Sequence, residues 1–210
     1  MSAVKAVIWD FGGVISSSPF EAFARFEAER GLPTGFLRTV NATNPHENAW
    51  ARLERSEIDA EAFGALFAAE SRALGHEVDG RDVLPLLSGE IRPEMVEALR
   101  RIGARLKTGC ITNNFTAMQG STMGSLYKAD IMTLFHHVIE SAKAGLRKPD
   151  PRIYLMMTDA LGVDPAHCVY LDDLGINLKP ARTLGMATIK VGEPGPALDT
   201  LETLVGFPLR

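Results

Sequence analysis

Short apolar runs, each ended by polar residues or glycine, recur along the chain and alternate with segments of helical periodicity. Runs of this length between turn signals are typical of strands buried in a parallel sheet. The pattern predicts five strands, at residues 6–9, 106–112, 138–139, 168–171 and 187–191. Because helical segments separate these runs, βαβ units are expected. The pattern therefore predicts an α/β fold built on a parallel sheet.

The stretch between the first two strands contains no convincing strand pattern. Helical spacing predicts helices there at about residues 20–31, 49–74 and 83–87, with a loop over residues 32–48. After this stretch, helices are predicted at residues 94–102, 151–161 and 176–184. We therefore expect a helical insertion over residues 16–88 in a core made of residues 1–15 and 89–210.

The composition of the chain says more about which partners it can bind than about which fold it adopts. The 210 residues carry a formal net charge of −4, which leaves no basic footprint for nucleic acid. No apolar stretch approaches the length of a membrane span, and the N-terminus shows no signal-peptide pattern. Cys110 and Cys168 lie in apolar runs, which favours buried side chains over a disulfide framework. We expect a cytoplasmic protein that binds neither nucleic acid nor membranes.

Polar residues end several of the predicted strands. Asp10 follows the first strand, Thr112 and Asn113 end the second, and the pair Asp172-Asp173 ends the fourth. The carboxyl ends of parallel strands share one edge of the sheet, where open α/β sheets bind their ligands. We expect these groups to meet there, together with Lys148 from a proline-containing loop.

These residue types suit phosphoryl transfer through a covalent aspartyl-phosphate. Asp10 is the candidate nucleophile, and with Asp173 it offers the oxygen ligands that Mg²⁺ prefers. Lys148, the Thr112 hydroxyl and the backbone N–H groups around Phe11 and Gly12 would neutralise the phosphoryl oxygens.

Each feature also has an ordinary structural explanation. Residues 112–114 resemble a plain loop, and a lysine beside a proline is commonly exposed on the surface. Asp173 is positioned to cap the following helix. However, two adjacent carboxylates after an apolar strand repel each other unless a cation or donors compensate them. The four features together favour a shared site.

The order Asp-x-x-Gly-Val, Thr-Asn, Lys-Pro and Asp-Asp resembles the haloacid dehalogenase (HAD) superfamily of hydrolases. The runs Lys148–Tyr154 and Leu171–Arg182 are similar to the phosphatase domain of soluble epoxide hydrolases. The pairs Gly12-Gly13 and Asn113-Asn114, with the ending Gly206–Arg210, are similar to the HAD domain of certain acyl-CoA dehydrogenase family members. The resemblance implies a Rossmann-like core with a small α-helical cap inserted after the first motif.

The resemblance also implies roles for individual residues. Asp10 would be the nucleophile, and the Gly12 carbonyl would join Asp10 and Asp173 around Mg²⁺. Asp172 would orient Lys148 or a metal-bound water. The phosphoryl group would be bound at Phe11, Gly12, Thr112, Asn113 and Lys148, and Asn177 falls where the family places a polar group.

Gly12 departs from the pattern of most phosphatases in this family, which carry an aspartate there as general acid and base. Loss of a positioned acid or base typically costs about 10²–10⁴ in rate. His46 or Glu47 of the insertion could replace it, although an exposed loop position is also expected for His46.

The sequence thus favours an Mg²⁺-dependent hydrolase of a small-molecule phosphomonoester. It makes no prediction of the oligomeric state. One alternative is a 2-haloacid dehalogenase, whose relatives also lack the second acid, although the tandem carboxylates count against it. Another is a phosphate-binding module with little or no turnover. Aromatic residues of the insertion would either line a substrate pocket or form its own core; they are Phe20, Phe23, Phe36, Trp50, Phe63 and Phe67.

Overall fold

The computed structural model describes residues 3–87, 89–113 and 129–210. Its strands are β1 (Ala6–Trp9), β2 (Lys107–Thr112), β3 (His137–Glu140), β4 (Cys168–Asp172) and β5 (Ala187–Lys190). Six helices precede β2: α1 (Phe20–Glu29), α2 (Phe36–Ala42), α3 (Ala49–Glu54), α4 (Ala60–Ala73), α5 (Gly80–Val83) and α6 (Pro93–Gly103). The later helices are α7 (Ser141–Ala144), α8 (Pro151–Leu161), α9 (Gly175–Thr183) and α10 (Pro194–Val205).

The five strands form one sheet in the order β3-β2-β1-β4-β5, and every neighbouring pair is parallel. In the centre of this sheet, Ile8 of β1 lies opposite Gly109 of β2 and Tyr170 of β4. The predicted α/β fold with a parallel sheet is confirmed. All strand carboxyl ends therefore lie at one edge.

Alternating residues of β1 pack on opposite faces of the sheet, because successive side chains of a strand point to opposite sides. Val7 and Trp9 join an apolar cluster that includes residues of α6 and α10, among them Leu99 and Leu198. Ala6 and Ile8 join a second cluster with residues of α8 and α9. Helices thus cover both faces, as the near-continuous apolar strands require.

Residues 20–87, called the helical segment below, have a hydrophobic core of their own. This core contains five of the six aromatic residues considered for a pocket lining, and Phe20 packs against its edge. Trp50 and Phe63 are in direct contact, with ring centroids 4.9 Å apart. The aromatic residues therefore form the core of the segment.

Two predictions for the helical segment were wrong. Residues 32–48 were expected to form a loop but contain α2, whose first N–H groups are capped from outside the helix. The buried carboxylate of Glu27 accepts hydrogen bonds from the Gly35 N–H (2.7 Å) and the Leu37 N–H (2.9 Å). The single helix expected over residues 49–74 is two helices, α3 and α4.

The remaining differences are few. Helix α10 was not predicted, and a 3₁₀ turn at Leu84–Leu87 follows the short α5. Cys110 and Cys168 are buried and form no disulfide with each other. In the described ranges, no helix is both long and apolar enough to cross a bilayer. The expected segment boundary at Ser88 and the residue Asn114 lie outside the described residues.

Candidate active site

Three adjacent strands bring their terminal polar residues to one edge of the sheet. Asp10 follows the last residue of β1, and its N–H donates to the Leu171 carbonyl of β4 (2.8 Å). Thr112 ends β2, and Asp172 ends β4. All three residues are buried. The parallel pairing of β2, β1 and β4 is therefore what places these polar residues side by side.

Lys148 lies between two of these carboxylates. Its Nζ atom is 2.7 Å from Oδ2 of Asp10 and 2.9 Å from Oδ2 of Asp172. The lysine side chain is only 1% exposed, so the alternative of an ordinary surface lysine is wrong. A buried ammonium needs partners of opposite charge, and here it has two.

Asp172 is surrounded by hydrogen-bond donors. The Tyr170 hydroxyl donates to its Oδ2 (2.5 Å), the Leu174 N–H donates to its Oδ1 (2.8 Å), and the Asn177 side-chain amide contacts both oxygens at 3.1 Å. With Lys148, these donors fix the orientation of the carboxylate. The arrangement suits a residue that holds Lys148 in place.

Asp173 has few partners by comparison. The Ser18 hydroxyl donates to its Oδ2 at 3.3 Å. Leu174 is the N-cap residue of α9, and no side chain caps that position, so the helix-cap alternative for Asp173 is wrong. Gly13 makes room for this carboxylate, because a Cβ atom built on Gly13 would lie 2.3 Å from Oδ2 of Asp173.

The three aspartates fit a hard cation such as Mg²⁺. One carboxylate oxygen from each of Asp10, Asp172 and Asp173 lies within 4.8 Å of the others. Mg²⁺ prefers oxygen ligands. When all three are ionised, Lys148 balances only one of their charges, and a divalent cation would balance the other two. The donor set and the charge therefore both suit this ion.

Burial and charge shift the pKa values of these groups in opposite directions. Burial raises the pKa of Asp10 to about 8, against the opposing effect of the Lys148 ammonium. Burial also raises the pKa of Asp173 to about 6, and the Asp172 carboxylate adds to the increase. For Lys148, burial lowers the pKa, but Asp10 and Asp172 outweigh burial and raise it above its usual range. The lysine is therefore charged at neutral pH.

Asn113 contacts the loop of Lys148 through its side-chain amide. Its Oδ1 accepts from the Lys148 N–H (2.9 Å), and its Nδ2 donates to the Lys148 carbonyl (3.1 Å). The side chain of Asn113, predicted to bind phosphate, is thus hydrogen-bonded to the backbone of another residue predicted to do so.

The backbone after Asp10 turns immediately at the site. The Phe11 N–H donates to Oδ1 of Asp10 (2.6 Å), and Phe11 itself is buried. A Cβ atom built on the neighbouring Gly12 would meet nothing within 4 Å. A Cβ atom could therefore be accommodated at this position without a clash.

Sequence reasoning missed several residues at this edge, among them Ser18, Tyr170, Glu54 and Arg147. Glu54, the last residue of α3, places Oε2 2.5 Å from Nε of Arg147, directly before Lys148. Burial raises the pKa of Glu54 despite the nearby Arg147. Arg147 stood next to a predicted site residue, but no local pattern marked Glu54. His46 and Glu47, considered as replacements for the missing acid, are exposed.

Comparisons with known proteins bear on the family and the fold of the chain. A family model described as haloacid dehalogenase-like hydrolase matches residues 4–185. Acyl-CoA dehydrogenase family member 10 of Mus musculus is 35% identical over 98% of this chain and 20% of its own length. Bifunctional epoxide hydrolase 2 of Sus scrofa is 32% identical over 99% of this chain and 40% of its own length. The chain thus spans less than half of either relative.

A relative of similar size is Phosphatase MT3486 of Mycobacterium tuberculosis, 34% identical over 94% of this chain and 91% of that protein. A HAD family enzyme of Bacteroides thetaiotaomicron, solved with magnesium and inorganic phosphate, superposes with a TM-score of 0.61 at 17% identity, covering 91% of this chain and 96% of its own. L-2-haloacid dehalogenase from Xanthobacter autotrophicus gives a TM-score of 0.60 at 20% identity, covering 95% and 82%. Both structures share the fold.

Proposed function

The chain belongs to the haloacid dehalogenase-like hydrolase family, and we propose that it hydrolyses small-molecule phosphomonoesters with Mg²⁺ as its cofactor. The observation that carries the proposal is the cluster of Asp10, Asp172 and Asp173, with the buried Lys148 between the first two. Phosphatase MT3486, similar over nearly its whole length, supports the same reaction class.

In this proposal Asp10 is the nucleophile. Its carboxylate attacks phosphorus, the bond from phosphorus to the ester oxygen breaks, and an aspartyl-phosphate forms. Water then attacks phosphorus, the bond to Asp10 breaks, and inorganic phosphate leaves. Gly12 carries no acid, so the leaving oxygen takes its proton from water.

The ion would be held by Asp10, Asp173 and the backbone carbonyl of Gly12. When bound, Mg²⁺ offsets the negative charge of the phosphoryl oxygens. Lys148 uses two of its N–H groups on Asp10 and Asp172 and offers the third to the phosphoryl group. Thr112 and the N–H groups of the turn after Asp10 are the remaining phosphoryl donors. Asp172 orients Lys148, and Asn177 holds Asp172.

We assign the helical segment as the cap over this site. Its Glu54 and Pro45 contact Arg147 of the core beside Lys148. A cap in this position would select substrates and restrict the access of bulk solvent to the site. The substrate is a small molecule that fits between cap and core.

The test is hydrolysis of p-nitrophenyl phosphate with and without Mg²⁺. We expect phosphate release that EDTA abolishes and that Asp10→Asn reduces to background. Asp159→Asn, on the exposed face of α8, is the matched control and keeps full activity. Activity that survives Asp10→Asn would sink the assignment.

The absence of an acid at Gly12 favours a second candidate, a phosphate-binding module with little turnover. A strong gain of phosphatase activity in Gly12→Asp would show that this position limits the natural protein. Phosphate binding without turnover over a broad panel of phosphate esters would favour the module.

Halide release from 2-chloropropionate without metal would favour dehalogenase activity. One fold neighbour is an L-2-haloacid dehalogenase solved with chloropropionic acid covalently bound. The paired Asp172 and Asp173 argue against this reaction, because attack on carbon needs no cation. Assaying both substrates on one preparation separates the two activities.

A further inference from the structure

Glu54 joins the helical segment to three separate segments of the core at once. Its Oε2 pairs with Nε of Arg147 (2.5 Å) and accepts from Nδ2 of Asn113 (3.4 Å), while its backbone carbonyl accepts from the Ser141 hydroxyl (2.8 Å). Asn113 follows β2, Ser141 follows β3, and Arg147 precedes Lys148. A single residue of α3 thus contacts the loops of Asn113 and Arg147 and the first residue of α7.

These contacts converge on the backbone of Lys148. Asn113, which contacts Glu54 on one side, hydrogen-bonds to both the N–H and the carbonyl of Lys148. Arg147, paired with Glu54, is bonded to Lys148 through the chain and also donates to the Pro45 carbonyl (2.8 Å). Glu54 is therefore connected to the backbone of Lys148 from both sides, through Asn113 and through Arg147.

The Glu54–Arg147 pair is shielded enough to be a firm contact. The side chains are 16% and 21% exposed, whereas those of the Arg30–Asp82 pair within the helical segment are 55% and 44% exposed. Exposed pairs contribute little, but removing one partner of a shielded pair leaves an uncompensated charge. The first pair can hold a loop in place, and the second serves as its comparison.

We propose that Glu54 is a positioning residue that fixes the Lys148 loop through Arg147 and Asn113. The inference rests on the proposed phosphatase function for its catalytic consequence, but its structural consequence is independent of that function. It goes beyond attachment of the helical segment, because it makes the placement of the Lys148 ammonium depend on a residue of that segment.

The first test is hydrogen–deuterium exchange of the peptide that contains Lys148. We expect Glu54→Gln and Arg147→Gln to accelerate exchange there, since the Lys148 N–H depends on Asn113. Arg30→Gln, which breaks the exposed pair, leaves that peptide unchanged. Unchanged exchange in Glu54→Gln would overturn the inference, whether or not the protein proves to be a phosphatase.

The second test compares kcat and KM of the same variants on an aryl and an alkyl phosphate. A misplaced lysine costs about 10- to 100-fold in kcat/KM, by the same factor for both esters. The losses of Glu54→Gln and Arg147→Gln do not add in the double variant. A loss confined to the alkyl ester would instead identify Glu54 as a proton donor, and a lower melting temperature with unchanged kinetics would reduce it to an anchor. Either result overturns the inference.

Discussion

Lys148 is the residue whose environment shows most directly how the site is held together. Its ammonium is buried between Asp10 and Asp172, and each of these carboxylates is itself shielded from water. Desolvation of these charges is costly, and their mutual attraction offsets it only while all partners are present. The same contacts that would place the lysine for the proposed phosphate binding therefore also make it necessary for stability.

Replacement of this lysine by an apolar side chain of similar length tests that balance. We expect Lys148→Met to lower the free energy of unfolding by about 3–5 kcal/mol without Mg²⁺, because two carboxylates lose their shared counter-charge. Urea unfolding followed by circular dichroism measures the change. Lys143→Met, which removes an ion pair whose lysine is 72% exposed, costs less than about 1 kcal/mol. Equal losses in the two variants would show that burial of Lys148 does not matter.

Gly13 is the second residue whose identity the site requires. It has a φ of +73°, and a Cβ atom there would overlap the Asp173 carboxylate. Gly13→Ala should therefore displace Asp173 and raise the Mg²⁺ concentration for half-maximal activity at least about tenfold, a change of about 1.4 kcal/mol in binding. A Mg²⁺ titration of phosphatase activity measures this effect.

The matched control is Gly31→Ala, at a glycine with a φ of +64° and nothing within 4 Å of its Cβ position. Both substitutions place a side chain in the left-handed region of the backbone, which costs about 1–2 kcal/mol of conformational energy. Only the variant at Gly13 should change the Mg²⁺ requirement. A shift of the same size at Gly31 would trace the effect to backbone strain.

The residues near Asp10 could be predicted because each leaves a local signal in the sequence. A carboxylate directly after an apolar run marks a strand end, as at Asp10 and Asp172. Glu54 leaves no such signal, since Asn113 is 59 residues away and the contact exists only once the helical segment meets the core. The catalytic roles of the residues near Asp10 remain predictions.

Helix α3 connects the helical segment to the edge of the site through Glu54. It is only six residues long and ends at Glu54. The buried Asn48 begins it: its Oδ1 accepts from the Ala51 N–H (2.9 Å), and its Nδ2 donates to the carbonyls of Asn41 and Thr43. So short a helix is not stable by itself and depends on its cap and packing.

Removing the Asn48 side chain that caps the N-terminus of α3 should therefore affect activity as well as stability. We expect Asn48→Ala to cost about 1–2 kcal/mol and to lower kcat/KM, since α3 positions Glu54. Asp59→Ala removes the corresponding cap of α4, where Oδ1 accepts from the Ala62 N–H (2.8 Å). It should cost similar stability at unchanged kcat/KM. Thermal unfolding and phosphatase kinetics on both variants make the comparison, and parallel losses of activity would contradict it.

Helices with a regular spacing of apolar residues were predicted from the sequence, whereas helices that depend on contacts with distant residues were not. Helix α8 agrees with its prediction because Asp150 caps it, Pro151 starts it and Gly162 ends it. Helix α2 was missed because its cap is Glu27 of another helix. Helix α10 begins with Pro194, Gly195 and Pro196, which obscured the helical pattern after them.

At the scale of the whole molecule, negative charge is concentrated at the carboxyl edge of the parallel sheet. Neighbouring parallel strands have their carboxyl ends at the same edge, so the pairing of β1 with β4 brings three aspartates together. One lysine among them leaves repulsion in the folded state that the unfolded chain does not have. A cation that binds there should therefore stabilise the entire fold.

The last prediction measures that linkage. A ligand that binds only the folded chain stabilises it by about 2.7 kcal/mol at a hundredfold excess over its dissociation constant. For a domain of this size, about 2–4 °C per kcal/mol gives a rise of about 5–10 °C in melting temperature with Mg²⁺. Asp173→Asn should abolish the rise, because it removes a proposed ligand. KCl at equal ionic strength should produce no comparable shift, since screening does not require a site of defined oxygens. A rise that persists in Asp173→Asn would show that Mg²⁺ acts elsewhere, even if the carboxylates at the sheet edge are catalytic.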